Sequence, residues 1–98
     1  DIVEGVQKTI LQSQPDQKNY SLYNIGNGSP VKLLDFIKAI ETVTGKTAEK
    51  QMLPMQPGDV AQTWADTRDL KNDFNYEPNT DIVNGVSNFV NWYKKYYK

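Results

Sequence analysis

The sequence contains no cysteine and no histidine among its 98 residues. Without thiols or imidazoles, the chain cannot form a disulfide, a Cys/His zinc site or a thiolate nucleophile, and it has no imidazole base. Catalysis by this chain would therefore have to use carboxylates, lysines or hydroxyl groups. We predict neither a metal site nor a catalytic residue from the composition.

Neither charge nor hydrophobicity is concentrated enough to predict a nucleic-acid or membrane partner. Eleven basic residues oppose twelve acidic ones, and the formal net charge is -1, so nothing in the charge balance attracts a polyanion or an anionic bilayer. No apolar run approaches the about 18 residues of a membrane-spanning helix. The acidic start, Asp1-Ile2-Val3-Glu4, lacks the basic region of a signal peptide. We therefore expect a soluble, cytoplasmic protein without a nucleic-acid or membrane partner.

Apolar residues at helical spacing predict about four helices within one domain that covers residues 1–98. The helices are expected to begin near residues 1, 30, 66 and 81. Ser29 is the predicted N-cap of the second helix, Pro30 its first residue and Gly45 its C-terminal stop. Asp66 is the predicted cap of the third helix, and Thr80 or Asp81 the cap of the fourth.

Two stretches have the composition of β-strands. Tyr20–Ile25 is rich in residues that suit a pleated sheet, and a second short strand is predicted around residues 51–53. A helix separates them, and this order favours parallel pairing through a right-handed crossover. The predicted fold class is therefore α/β, as a small α+β-like domain of about four helices with a short two-stranded parallel sheet.

The loop 53–60, Leu-Pro-Met-Gln-Pro-Gly-Asp-Val, is the most unusual segment, because prolines and a glycine restrict a backbone that lacks a regular ladder. Such loops often position ligands. Asp59 could accept the hydroxyl groups of a ribose, Gly58 permits close approach of a ligand to the backbone, and Gln56 offers an uncharged amide. The alternative is a covering loop in which Asp59 caps a turn.

Two further motifs have simpler interpretations. Asp66 and Asp69 could form a carboxylate pair for acid–base chemistry, as in a glycosidase, but their spacing is also typical of helix capping. Gly26-Asn27-Gly28 lacks the pattern of a dinucleotide-binding or phosphate-binding loop. We interpret it as a turn.

Five short motifs occur in a characteristic order: residues 1–5 (DIVEG), 23–27 (YNIGN), 56–60 (QPGDV), 65–66 (AD), and 85–93 from Gly-Val to Asn-Trp-Tyr. In this order they resemble the C-terminal part of nucleotide-sugar epimerases of the extended short-chain dehydrogenase/reductase superfamily. The segment 53–60 looks most like the bacterial UDP-glucuronate 4-epimerase branch. The resemblance covers nearly all of the chain.

The resemblance implies a substrate-binding fragment of a larger enzyme that is inactive by itself. In that family an N-terminal Rossmann half carries NAD and the Tyr-x-x-x-Lys motif, and this chain contains neither that motif nor a residue that we predict to bind a cofactor. The implied parent reaction is NAD-dependent inversion at C4 of a UDP-hexose or UDP-hexuronate. The implied partners are the UDP-sugar and the missing Rossmann domain, in a homodimeric parent.

The resemblance also suggests roles for individual positions. Asp59 corresponds to a carboxylate that holds the ribose hydroxyls, and Gln56 stands where many relatives have an arginine near the pyrophosphate. Thr63 falls where relatives place a side chain close to the sugar ring, and a small residue there would leave room for a bulky or charged hexose. The alternative is a free-standing small α/β interaction module without catalysis.

Overall fold

The computed structural model describes residues 1–13 and 20–98, and these residues form four α-helices. Helix α1 covers Ile2–Gln12, α2 covers Leu33–Thr44, α3 covers Arg68–Phe74 and α4 covers Ile82–Tyr96. None of these helices is both long enough and apolar enough to cross a membrane, within the described part of the chain.

The described residues contain no β-strand, so the predicted α/β class and its two-stranded parallel sheet are wrong. A strand needs a partner for its backbone N–H and C=O groups, and sheet propensity alone does not supply one. Residues 20–25 belong to one compact unit of the chain and residues 51–53 to another. The two segments have no regular secondary structure and form no ladder with each other.

The first compact unit contains the described residues of Asp1–Pro30 and of Gln62–Asn79. Within it, α1 packs against α3. Leu70 and Tyr76 are each only 1% exposed and form its core. The Tyr76 hydroxyl donates a hydrogen bond of 2.9 Å to the Asp1 carbonyl, which satisfies the polar end of a buried ring. This contact ties the end of α3 to the start of α1.

The second compact unit contains Val31–Ala61 and Thr80–Lys98, and in it α2 packs against α4. Its buried apolar residues are Ala39 and Val86. The predicted apolar stripes of α2 and α4 are present, but several of their large side chains are exposed, as Leu33 and Phe89 are by 66% and 59%. Helical spacing therefore predicted the helices correctly and overstated how much of each stripe is buried.

Two helix ends agree with the sequence rules and two differ. Gly45 ends α2 in the left-handed region, with φ of 69°, as predicted. Asp81 caps α4 by accepting a hydrogen bond from the Asn84 backbone N–H. The predicted start at Ser29 and Pro30 is wrong: the N-cap of α2 is Lys32, which has extended backbone with ψ of 142°. The apolar stripe from Leu33 onward decides where this helix begins.

The third helix also begins one residue later than predicted. Its N-cap is Thr67, not Asp66, and Thr67 forms no side-chain capping bond. The Asp66 carboxylate nevertheless accepts a hydrogen bond of 3.2 Å from the backbone N–H of Arg68, the first helical residue. Asp66 therefore accepts a hydrogen bond at the start of α3, as predicted, but it lies one residue before the N-cap.

Two glycines occupy the fourth position of their helices and should respond in opposite ways to alanine. A Cβ at Gly5 would overlap the Ile25 side chain and lie 3.2 Å from the buried Tyr76 ring, whereas a Cβ at Gly85 would meet Thr80 at an ordinary 3.6 Å. We expect Gly85→Ala to stabilise the protein by up to about 1 kcal/mol through helix propensity. We expect Gly5→Ala to destabilise it by about 1–3 kcal/mol through overpacking.

Urea denaturation followed by circular dichroism measures both variants, and Gly85→Ala is the control for helix propensity. An equal rise of the unfolding midpoint in the two variants would contradict the close packing of α1 against Ile25 and Tyr76.

Candidate functional site

The predicted site residues Gln56, Gly58 and Asp59 lie on one tight turn. The Asp59 backbone N–H donates a hydrogen bond of 3.1 Å to the Gln56 carbonyl, and Gly58 has φ of +86°. Proline fixes the second position of the turn at negative φ, and a positive φ at the third position then defines a type II turn. The four residues Gln-Pro-Gly-Asp are therefore sufficient to favour this turn conformation.

The turn leaves its candidate binding groups exposed. A Cβ built on Gly58 would meet no atom within 4 Å, so this stretch of backbone is open to a ligand. Asp59 Oδ1 accepts a hydrogen bond of 2.9 Å from the Val60 backbone N–H, which holds the carboxylate beside the turn. Among residues 1–13 and 20–98, Asp59 Oδ2 accepts no hydrogen bond. The turn therefore presents a carboxylate oxygen next to an open glycine.

Thr63, the fourth predicted site residue, is exposed and belongs to the first unit, in the range Gln62–Asn79. The structure thus brings together Gln56, Gly58 and Asp59 and places Thr63 in the other unit.

In the segment that follows Thr63, Asp66 forms an ion pair with Arg68. The Arg68 guanidinium donates from Nε to both carboxylate oxygens, at 2.9 and 3.1 Å, and from Nη2 to Oδ2 at 2.6 Å. Such planar, charge-assisted contacts are among the stronger hydrogen bonds in proteins. The hydrogen bonds from Arg68 lower the pKa of Asp66 from 3.8 to about 2. Sequence reasoning missed this pair, because a spacing of two residues is not a helical contact.

This ion pair argues against a general-acid role for Asp66. A general acid must be protonated near the working pH, and a carboxyl group with a pKa of about 2 is ionised there. No group of three acidic side chains suited to a metal ion occurs in the part of the chain that the structure describes.

The segment that carries Asp66 runs beside residues 24–28. The Asn24 side-chain amide donates a hydrogen bond of 3.2 Å to the Asp66 carbonyl, and Gly28 has φ of +72°. A Cβ at Gly28 would approach the Thr67 hydroxyl to 3.3 Å. The positive φ and this close contact explain why residue 28 is a glycine.

The exposed apolar ring beside this segment is Trp64, which is 73% exposed. It borders a shallow cleft that is also lined by Gly28, Ala65, Asp66, Thr67 and Arg68. Because the only arginine of the sequence is paired with Asp66, the cleft contains no unpaired guanidinium. Its charge is therefore largely neutralised.

Comparisons with known proteins relate the chain to sugar-nucleotide enzymes. No family model matches the sequence. An uncharacterized 37.6 kDa protein of Escherichia coli O111:H- is 53% identical over 79 residues, which is 81% of this chain and 24% of that protein. Protein CapI of Staphylococcus aureus is 41% identical over an alignment of 112 residues, which covers 100% of this chain and 34% of CapI.

A probable UDP-glucuronate 4-epimerase of Rhizobium meliloti is 37% identical over 79 residues, which is 81% of this chain and 23% of that enzyme. Other relatives at 34–38% identity also carry the name UDP-glucuronate 4-epimerase. The chain is thus similar to a part of proteins that carry the name UDP-glucuronate 4-epimerase. The chain spans between about a quarter and a third of the length of the three relatives described.

The Asp66–Arg68 pair leads to a pH prediction. Since the folded-state pKa of Asp66 is lowered to about 2, its contribution to stability is fully present above pH 3.8 and is lost as the pH falls towards 2. We expect a ¹³C carboxyl titration to give an Asp66 midpoint near 2. In Arg68→Gln the midpoint should return towards 3.8.

Lys71→Gln is the matched control for that titration, because it removes a cation of the same helix that pairs with Glu77 at 2.7 Å and not with Asp66. An Asp66 midpoint that stays near 2 in Arg68→Gln would show that another interaction lowers the pKa.

Proposed function

We propose that this chain is the substrate-binding part of a nucleotide-sugar 4-epimerase and that the Gln56–Asp59 turn anchors the nucleotide. The proposed parent reaction inverts C4 of a UDP-hexose or UDP-hexuronate, and UDP-glucuronate is the first substrate to test. The observation that carries the proposal is the turn itself, which places an exposed carboxylate oxygen beside an open glycine. The relatives named UDP-glucuronate 4-epimerase support the substrate class.

In this proposal Asp59 accepts hydrogen bonds from the two ribose hydroxyls. A carboxylate is suited to this task because it has only acceptor oxygens and can receive two donors at once. Gly58 lets the nucleotide approach the backbone, since no side chain occupies the outer side of the turn. The chain would thus fix the nucleotide end of the substrate and thereby orient the sugar for reaction.

The Gln56–Asp59 turn itself offers no cation to the pyrophosphate. Gln56 is uncharged, and the only arginine, Arg68, is held by Asp66 through three side-chain hydrogen bonds. A pyrophosphate group is best neutralised by a free guanidinium or ammonium group. We propose that this cation comes from the remainder of a longer polypeptide and that Thr63 contributes a small side chain near the sugar.

The residues of this chain do not fit NAD, which the resemblance implies for the parent enzyme. A dinucleotide site requires a strand, a glycine-rich turn and a helix that begins directly after it. No strand precedes Gly26 in the described residues, and α2 begins only at Leu33. We therefore assign NAD binding and the chemical step to a preceding Rossmann domain of a longer, homodimeric protein, and binding of the nucleotide end to this chain.

Steady-state kinetics of the complete polypeptide with UDP-glucuronate test the proposed role of Asp59. In Asp59→Asn we expect KM to rise about tenfold or more, because a hydrogen bond to a charged group contributes about 1.5–3 kcal/mol. The value of kcat should stay within about threefold, as expected when binding is lost equally from ground and transition states.

Asp35→Asn is the control, since Asp35 is an exposed carboxylate of the same unit in the first turn of α2. An unchanged KM in Asp59→Asn would remove Asp59 from the substrate site. Absence of any activity on UDP-sugars would overturn the proposed function as a whole.

A further inference from the structure

The segment that leads from α2 to the Gln56–Asp59 turn is fastened by a single carboxylate oxygen. Glu41 Oε1 accepts a hydrogen bond of 2.8 Å from the Ala48 backbone N–H and one of 2.5 Å from Lys50 Nζ. The Lys50 ammonium also lies 3.4 Å from the Ala48 carbonyl. One helical side chain therefore holds both the backbone and a side chain of the segment that follows.

This contact is possible because Gly45 reverses the chain. Glu41 lies in the last turn of α2, and the left-handed Gly45 ends the helix four residues later. The segment 46–52 then borders a cleft along α2 that is lined by Leu33, Ile37 and Ile40 of that helix. Glu41 is only partly exposed, with 22% of its side chain accessible. The contact is therefore better shielded from water than the Asp66–Arg68 pair.

The link between this contact and the turn is conformationally restricted over residues 53–57. Pro54 and Pro57 have fixed φ angles. Leu53 and Gln56 each precede a proline, which restricts them to extended backbone. Four of the five residues from 53 to 57 therefore have limited conformational freedom. A displacement of the segment at Ala48 and Lys50 would be carried along this link to Asp59.

We propose that Glu41, together with Lys50, is a positioning device for the nucleotide-anchoring turn. Glu41 holds the start of the loop against α2, and the proline-restricted link transmits that position to Gly58 and Asp59. Its effect on ligand binding rests on the proposed function, whereas its effect on the loop does not. Glu41 touches no substrate in this account and acts through Asp59.

The ionisation of Glu41 is consistent with this role. The hydrogen bond from Lys50 is the main cause that lowers the pKa of Glu41, and the one from Ala48 adds to it. Glu41 is therefore charged at neutral pH, and the contact is weakened only as the pH falls through that lowered pKa. Lys38 of α2 also lowers the pKa of Glu41.

Backbone ¹⁵N relaxation of the 98-residue chain tests directly whether Glu41 restrains the Gln56–Asp59 turn. In Glu41→Ala we expect the order parameters of the amides of Gly58, Asp59 and Val60 to fall from near 0.85 to below about 0.6. The amides of α2 should not change. Lys50→Gln should produce a smaller loss in the same amides and leaves the helix sequence intact.

Glu49→Ala is the matched control, because Glu49 is an exposed carboxylate of the same segment that accepts no hydrogen bond from the described residues. Unchanged order parameters at residues 58–60 in both Glu41→Ala and Lys50→Gln would overturn the proposal. An equal loss in Glu49→Ala would do so as well.

Kinetics of the complete polypeptide test the effect on binding. We expect Glu41→Ala to raise KM for the UDP-sugar about threefold to tenfold with kcat within about twofold. Glu41→Gln, which keeps an acceptor for Ala48, should restore part of the loss. If Glu41→Ala loosens the turn while Asp59→Asn leaves KM unchanged, the positioning of the turn by Glu41 is confirmed and the proposed nucleotide site fails. If Asp59→Asn raises KM and Glu41→Ala does not, the positioning role of Glu41 in binding fails.

Discussion

Pro57 and Gly58 impose the backbone constraint on which the candidate site depends. Proline permits only negative φ at the second position of the turn, and the observed φ of +86° at the third position is one that residues with a Cβ rarely adopt. The turn closes through the hydrogen bond from the Asp59 N–H to the Gln56 carbonyl. Asp59 is exposed on this turn, and the surface at Gly58 is open.

Because the two helix pairs bury only a small core, polar contacts hold the loop after α2 and the start of α1 in position. Each compact unit buries two apolar residues, Leu70 with Tyr76 and Ala39 with Val86, among the described residues. Glu41 fastens a loop, and the Tyr76 hydroxyl fastens the start of α1. Removing an acceptor such as Glu41 should therefore alter loop position more than it alters overall stability.

Short-range sequence patterns correctly predicted the features that depend on neighbouring residues. The four helices, the stop at Gly45 and the cap at Asp81 all follow from short-range sequence signals. The predicted sheet was wrong because strand pairing is a long-range property that propensity does not specify. The cap at Ser29 was wrong because the apolar stripe of α2 begins later than the turn chemistry suggests.

The contacts that sequence reasoning missed join residues without a helical spacing. Arg68 reaches back two residues to Asp66, and Lys50 reaches back nine residues to Glu41 across the end of a helix. For the Glu41–Lys50 pair, the chain reversal predicted at Gly45 is the one sequence signal. The nucleotide-binding roles of Gln56, Gly58, Asp59 and Thr63 came in part from a family resemblance, and they remain predictions.

A crystal structure of the complete native polypeptide with bound UDP-glucuronate tests the central claim most directly. The account predicts that the ribose hydroxyls lie within about 3.2 Å of the Asp59 carboxylate and that the nucleotide passes over Gly58. A ribose held by other residues, with the Gln56–Asp59 turn remote from the nucleotide, would contradict it.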